Sequence, residues 1–164
     1  MAGHALPSPH GSRVVLTRDA LDIAALTEAF HRDRSHVGAV VIFTGLARST
    51  TDGVAAGQLT LDAYPGFTEK VMVEMADEAR SRFDIDDVSV WHRWGEIPVG
   101  EAIVFVAVAA VHRRPAFEAA DFLMDHLKTR APFWKREDGP GGRRWIEPRP
   151  HDLADLTRWS QEPS

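Results

Sequence analysis

Apolar and polar positions change period several times along this chain, and the changes mark its elements. Arg13–Arg18 (RVVLTR) predicts a short strand. From Asp19 to Phe30 the apolar Leu21, Ala24, Ala25 and Phe30 recur near helical spacing, which predicts a helix. VGAVVIFTG at 37–45 is rich in β-branched residues and predicts a buried strand ending at Gly45, and the small, polar stretch 46–57 predicts a loop. Gln58–Tyr64 alternates, with Leu59, Leu61 and Ala63 on one face, and ends at Pro65-Gly66. Thr68 fits the N-cap of a helix whose apolar stripe is Val71, Met72, Met75, Ala76 and Ala79, running to Phe83. Val88–Trp94 alternates again, residues 96–100 (EIPVG) predict a turn, and Ala102–Val111 is a near-continuous apolar run suited to a central strand. Pro115 fits the first turn of a second long helix, with Phe117, Ala120, Leu123, Met124 and Leu127 facing inward. That helix should stop near Arg130, because the residue before Pro132 is disfavoured in α geometry. Arg144–Glu147 predicts a last strand, and Leu153–Trp159 a short helix.

This order is mixed, with neither regular βαβ alternation nor repeats. It predicts a single α+β domain, a largely antiparallel sheet with packed helices. Residues 1–11, rich in Gly, Pro, Ser and His, are expected to be a flexible tail; 12–150 form the domain, and 151–164 a C-terminal extension. At 164 residues, 44% hydrophobic and 26% charged, the chain can bury an ordinary core. The absence of cysteine excludes disulfides, a thiolate nucleophile and Cys-based zinc or iron–sulfur sites, and fits a cytoplasmic protein. The ten-residue apolar run at 102–111 is too short to span a bilayer. The opening residues lack the basic start and apolar stretch of a signal peptide. A net charge of −5 argues against nonspecific nucleic-acid binding.

Charge is unevenly distributed. Residues 112–149 hold nine Lys/Arg against six Asp/Glu in an otherwise acidic chain, which points to a local anion site or to a solvated surface that happens to be basic. Within it, Lys128–Glu137 (KTRAPFWKRE) is the leading candidate for an anion-handling active site acting on a phosphorylated small molecule. Lys128 ends a helix, where the macrodipole already favours a cation. Lys135, Arg136 and Glu137 follow a turn with two aromatics, Phe133 and Trp134, that call for burial. Burial and neighbouring cations lower a lysine pKa and make a proton donor or nucleophile at neutral pH. His112 and Arg113 sit where the apolar strand meets a helix N-terminus, a place that favours anions, and Arg48 follows the strand ending in Gly45. Each of these has an ordinary alternative as an exposed strand end. There is no HExxH, no GxGxxG and no GxxxxGK[ST], and Ser49 and Ser89 lack the Gly-x-Ser-x-Gly setting of a hydrolase nucleophile.

FTGLAR (43–48), LTLDAYPGFTEK (59–70), HRWGEIPVGE (92–101), VHR (111–113) and above all LKTRAPFWKRE (127–137) resemble, in order, the large catalytic subunit of molybdopterin synthase, the MoaE family. The resemblance implies an α/β-hammerhead fold. It implies a sulfurtransferase that installs the dithiolene sulfurs of molybdopterin on cyclic pyranopterin monophosphate (precursor Z), in molybdenum cofactor biosynthesis. The sulfur would arrive as a thiocarboxylate on the C-terminal Gly-Gly of a small ubiquitin-like MoaD-type partner. The large subunit would form a homodimer within a heterotetramer. No cofactor or metal bound by the chain itself is implied; the pterin phosphate is substrate. Carried over by motif, Lys128 is the central catalytic group and Lys135 assists it. Leu46, Ala47, Arg48, His112, Arg113, Lys128, Lys135, Arg136 and Glu137 form the substrate site. Two departures stand out: Leu46 occupies a position where many members have Lys, and Arg114-Pro115 replaces small polar residues. The competing reading is a non-catalytic scaffold that holds a Gly-Gly tail or a phosphorylated pterin. A generic phosphate-ester hydrolase lacks a recognisable nucleophile or metal set.

Overall fold

The computed structural model describes residues 12–51, 53–55 and 57–160, so the expected tail at 1–11 lies outside the described residues. In chain order the main elements are β1 (Arg13–Thr17), α1 (Ile23–His31), β2 (Ala39–Leu46), β3 (Thr50–Thr51), β4 (Val54–Ala55), β5 (Gln58–Ala63), α2 (Phe67–Arg82), β6 (Asp87–Arg93), β7 (Gly95–Pro98), β8 (Ala102–Ala110), α3 (Arg113–Thr129), β9 (Phe133–Gly139), β10 (Gly142–Ile146) and α4 (Pro150–Leu156). They form one α+β domain with two four-stranded sheets, ordered β1-β6-β8-β2 and β10-β9-β5-β7, and a small β3-β4 ribbon. Every pairing is antiparallel except β1 with β6.

Strand β8 lacks alternation because both of its faces are covered. Val104, Val106 and Val108 pack with Met72 and Met75 of α2 and Phe122 and Leu123 of α3. Phe105, Ala107 and Ala109 pack on the other side with Phe30 of α1. A third cluster, Ala47, Leu59, Leu61 and Ile97, forms the inner face of the second sheet.

Several boundaries differ from the periodicity, each for a local reason. Helix α1 starts only at Ile23, because the Asp22 side chain accepts the backbone N–H of Ala25 and caps it there. Thr68 is not the cap of α2: Gly66, at φ +89°, takes that position. The buried Thr68 hydroxyl instead accepts from the Tyr64 N–H (2.9 Å) and meets the Pro132 carbonyl (3.2 Å), tying the start of α2 to the chain between α3 and β9. The loop expected at 46–57 holds the β3-β4 ribbon, and the turn expected at 96–100 holds β7, which pairs with β5.

The largest difference lies at 133–139. The turn expected there is strand β9, paired with β5 on one side and β10 on the other. A strand sends successive side chains to opposite faces. Phe133 therefore turns inward, whereas Trp134 points outward, 55% exposed, edge-on to Tyr64 at 6.1 Å.

The described residues after β10 pack into the body. Their helix begins at Pro150, three residues earlier than expected, with Asp152 capping the Arg149 N–H at 3.0 Å. Beyond it, the Trp159 ring meets Phe83 and Phe122 edge-on at 5.8 and 5.4 Å, and its Nε1–H donates to Asp125 Oδ2 at 2.7 Å. Arg158 reaches Asp121 and Asp125 at 3.0 and 2.7 Å.

Candidate active site

A cavity of about 640 Å³ opens between the two sheets, the end of α3 and the start of α4. Its walls explain its chemistry. From the first sheet come Gly45, Val104 and His92, which lie in one cross-strand row, His92 opposite Val104 and Val104 opposite Gly45. Gly45 keeps that row open, since a Cβ there would sit 2.7 Å from Val104 Cγ1. The second sheet contributes Leu59, Leu61, Phe133 and Lys135, and α3 contributes Met124, Leu127 and Lys128. Arg149, His151 and Asp152 close the remaining side.

Four cations thus face one space: Arg48, Lys128, Lys135 and Arg149. Lys128 is half-exposed and pairs with Asp152 Oδ1 at 3.2 Å. Burial alone would raise the Asp152 pKa, but the Arg149 N–H and the Lys128 ammonium together hold it below the ordinary value. Lys135 has its pKa pushed below the ordinary 10.5, first by burial and then by the positive charges of Arg48, Arg149 and Lys128. Glu137, two residues along the same strand face, opposes this shift from 3.8 Å. It is buried behind Lys135 and also takes Arg144 at 3.1 Å.

Two consequences follow for Lys135. Folded chains bind fewer protons at this amine than unfolded ones between its lowered pKa and 10.5, so its contribution to stability rises with pH across that window. Glu137→Gln removes a carboxylate that favours the ammonium, so the Lys135 pKa should fall further. An NMR pH titration of the lysine side chains measures this directly, and an unchanged or raised Lys135 value would contradict the assignment.

The residues singled out from sequence divide into groups. Arg48, Lys128 and Lys135 line the cavity, as does Leu46, which is exposed and brings no charge where many relatives were expected to carry Lys. Ala47 turns away into the core, its N–H donating to the Glu101 carbonyl at 2.9 Å. Arg136 lies on the outer face of β9, against Thr60, Asp138 and the Trp145 ring, because it is one residue out of step with Lys135. His112 and Arg113 line a separate surface groove of about 420 Å³ with Arg114, Phe117 and Glu118. Within one chain, then, they do not meet the lysines.

Sequence reasoning missed Arg149, His151 and Asp152 as cavity residues. Only the excess of basic residues up to 149 and the Arg-Pro-His-Asp start of a helix hinted at them. His92 lies on the alternating strand and opens the 92–101 motif, but it was given no role in the site. Among the described residues no three His, Asp or Glu side chains converge as a metal site, and no helix is long and apolar enough to cross a membrane.

The fold is a mixed α+β domain whose cavity gathers four cations, one of them a lysine of lowered basicity, an arrangement that attracts anions. Residues 16–130 match the family described as MoaE protein, and the chain belongs to that family. It is 54% identical over 149 residues to the molybdopterin synthase catalytic subunit of Caulobacter vibrioides, covering 91% of this chain and 98% of that one. To the subunit of the same name from Escherichia coli it is 52% identical over 127 residues, 77% of this chain and 85% of that one. Among solved structures, the molybdopterin biosynthesis MoaE protein of Burkholderia ambifaria superposes with a TM-score of 0.77 at 38% identity, over 92% of this chain and 99% of that one.

Proposed function

We propose that this chain is the catalytic subunit of a molybdopterin synthase, a sulfurtransferase of molybdenum cofactor biosynthesis. It moves sulfur from the C-terminal thiocarboxylate of a small ubiquitin-like, MoaD-type partner to cyclic pyranopterin monophosphate, forming the dithiolene. The observation that carries this reading is the meeting of Lys128, Lys135, Arg48 and Arg149 in one cavity whose size suits a small heterocyclic phosphate. Lys128 is the central catalytic group. Lys135 gives up its proton more readily than an exposed lysine, which suits it to assist or to steady an acyl intermediate. The guanidinium groups hold the phosphate. A Gly-Gly tail, with no side chains, is thin enough to enter beside them.

The separation of His112 and Arg113 from the lysines fits a homodimer in which a second copy brings its own His112 and Arg113 to the cavity. Two-fold symmetry then makes two equivalent composite sites, each served by one small partner in a heterotetramer. Reconstitution tests the proposal. The purified chain, mixed with thiocarboxylated partner and cyclic pyranopterin monophosphate, should yield dithiolene product. Tight binding of the partner tail with no product would favour the scaffold reading.

A further inference from the structure

His92 is more than nine-tenths buried, yet it lines the cavity. One face of its ring is covered by Phe133, stacked at 3.9 Å and 18°. Its Nδ1 lies 2.8 Å from the Arg93 carbonyl. A carbonyl oxygen only accepts, so Nδ1 carries the proton and donates. Burial lowers the ring's pKa to about 4, so at neutral pH there is one ring proton and it is the one on Nδ1. The other nitrogen, Nε2, is left as a bare acceptor. Among the described residues the ring's one hydrogen bond is at Nδ1, and the open space beside the ring is the cavity it lines.

Its surroundings give that acceptor a distinct use. Arg48, Lys128, Lys135 and Arg149 donate only. Asp152, the cavity carboxylate beside them, is already engaged by Lys128 and by the Arg149 N–H. Glu147 is exposed. The cations match a phosphate but cannot accept a hydrogen bond from the N–H groups of a heterocycle. We infer that His92 is a substrate-contacting residue whose Nε2 accepts a hydrogen bond from a ring N–H or amino group of the bound heterocycle, fixing its orientation while the cations take the phosphate. The inference rests on the pterin phosphate substrate proposed above.

Two substitutions separate this role from a structural one. The Gln side chain places an amide oxygen near Nε2, whereas Asn mimics Nδ1 and keeps only the bond to the Arg93 carbonyl. Affinity for cyclic pyranopterin monophosphate is read by calorimetric titration of the full chain, with the melting temperature of each variant alongside. His92→Gln should bind within about threefold of wild type, and His92→Asn about tenfold or more weaker, as expected for one lost hydrogen bond between buried groups. Equal affinities, or Asn binding better than Gln, would overturn the inference. A measurement on the unaltered protein guards against variants that fail to fold. On saturation with substrate, the 15N resonance of the unprotonated His92 nitrogen should move upfield as it accepts a hydrogen bond. If wild type binds the pterin and this resonance stays put, His92 makes no such contact. If wild type binds no pterin at all, the proposed substrate falls, and this inference with it.

Discussion

Lys128→Ala should abolish dithiolene formation, lowering turnover by at least about 100-fold, the usual scale for losing a positioned proton-transfer group. The reasoning starts from position. Lys128 lies in the last turn of α3 and lines the cavity, where its ammonium pairs with Asp152 and shares the space with Arg48, Lys135 and Arg149. Its removal should leave the fold intact, because the Lys128 side chain is half-exposed and Asp152 still accepts from the Arg149 N–H. Folding and partner binding should therefore match wild type while product is lost. Wild-type turnover in this variant would remove Lys128 from the mechanism. If the proposed homodimer builds its site from two copies, a sharper result follows. Lys128→Ala and Arg113→Ala chains, each inactive alone, should recover roughly a quarter of wild-type activity when unfolded together and refolded at equal amounts. Half of the dimers are then mixed, and each mixed dimer has one intact site. No recovery would mean that Arg113 does not serve the lysines across a two-fold axis.

Phe122→Ala should be the most damaging single change to stability, at about 3–5 kcal/mol. Phe122 is fully buried on α3, with Phe83 edge-on at 5.5 Å, Trp159 at 5.4 Å and the His126 ring tilted against it at 3.9 Å. Three segments meet at this ring: α3, the residue following α2, and the turn after α4. None of them can move in without breaking its own contacts, such as the Trp159–Asp125 hydrogen bond, so the space left behind stays open. For a chain of this size the melting temperature should fall by roughly 6–20 °C. Thermal unfolding followed by circular dichroism measures it, and a fall equivalent to less than about 1 kcal/mol would show that the site collapses around the smaller side chain.

The elements that hold the core were legible in the sequence because burial leaves a period. The stripe at 71–79 and the apolar run at 102–111 are α2 and β8, and the break before Pro132 ends α3 where steric reasoning puts it. Strand β9 was not legible. FWKREDG has few β-branched residues and reads as charge, and its strand character comes from pairing with β5 and β10, which are distant in sequence. Because the strand was missed, the facing of its residues was missed too: Lys135 and Glu137 point in, while Trp134 and Arg136 point out. Of the cavity, the lysines and Arg48 were visible as a motif. Arg149 and Asp152 were not, and His92, though it opens the 92–101 motif, was given no place in the site, since nothing in their local spacing says that α4 and β6 reach the same space.

The alternation along β9 also sets which kinds of genetic change this chain tolerates. Substitutions at 134, 136 and 138 alter an outer surface and leave the cavity lining in place. A single inserted or deleted codon between 133 and 139 is different. It carries the side chains that follow it in the strand to the opposite face; inserted between 133 and 134, it puts Trp134 in the inward place of Lys135 and turns the cation out to water. Length here is therefore under tighter constraint than spelling. Descendants of this gene can drift by replacement at the outward positions of this strand, but gains and losses of residues within it displace the cavity lining.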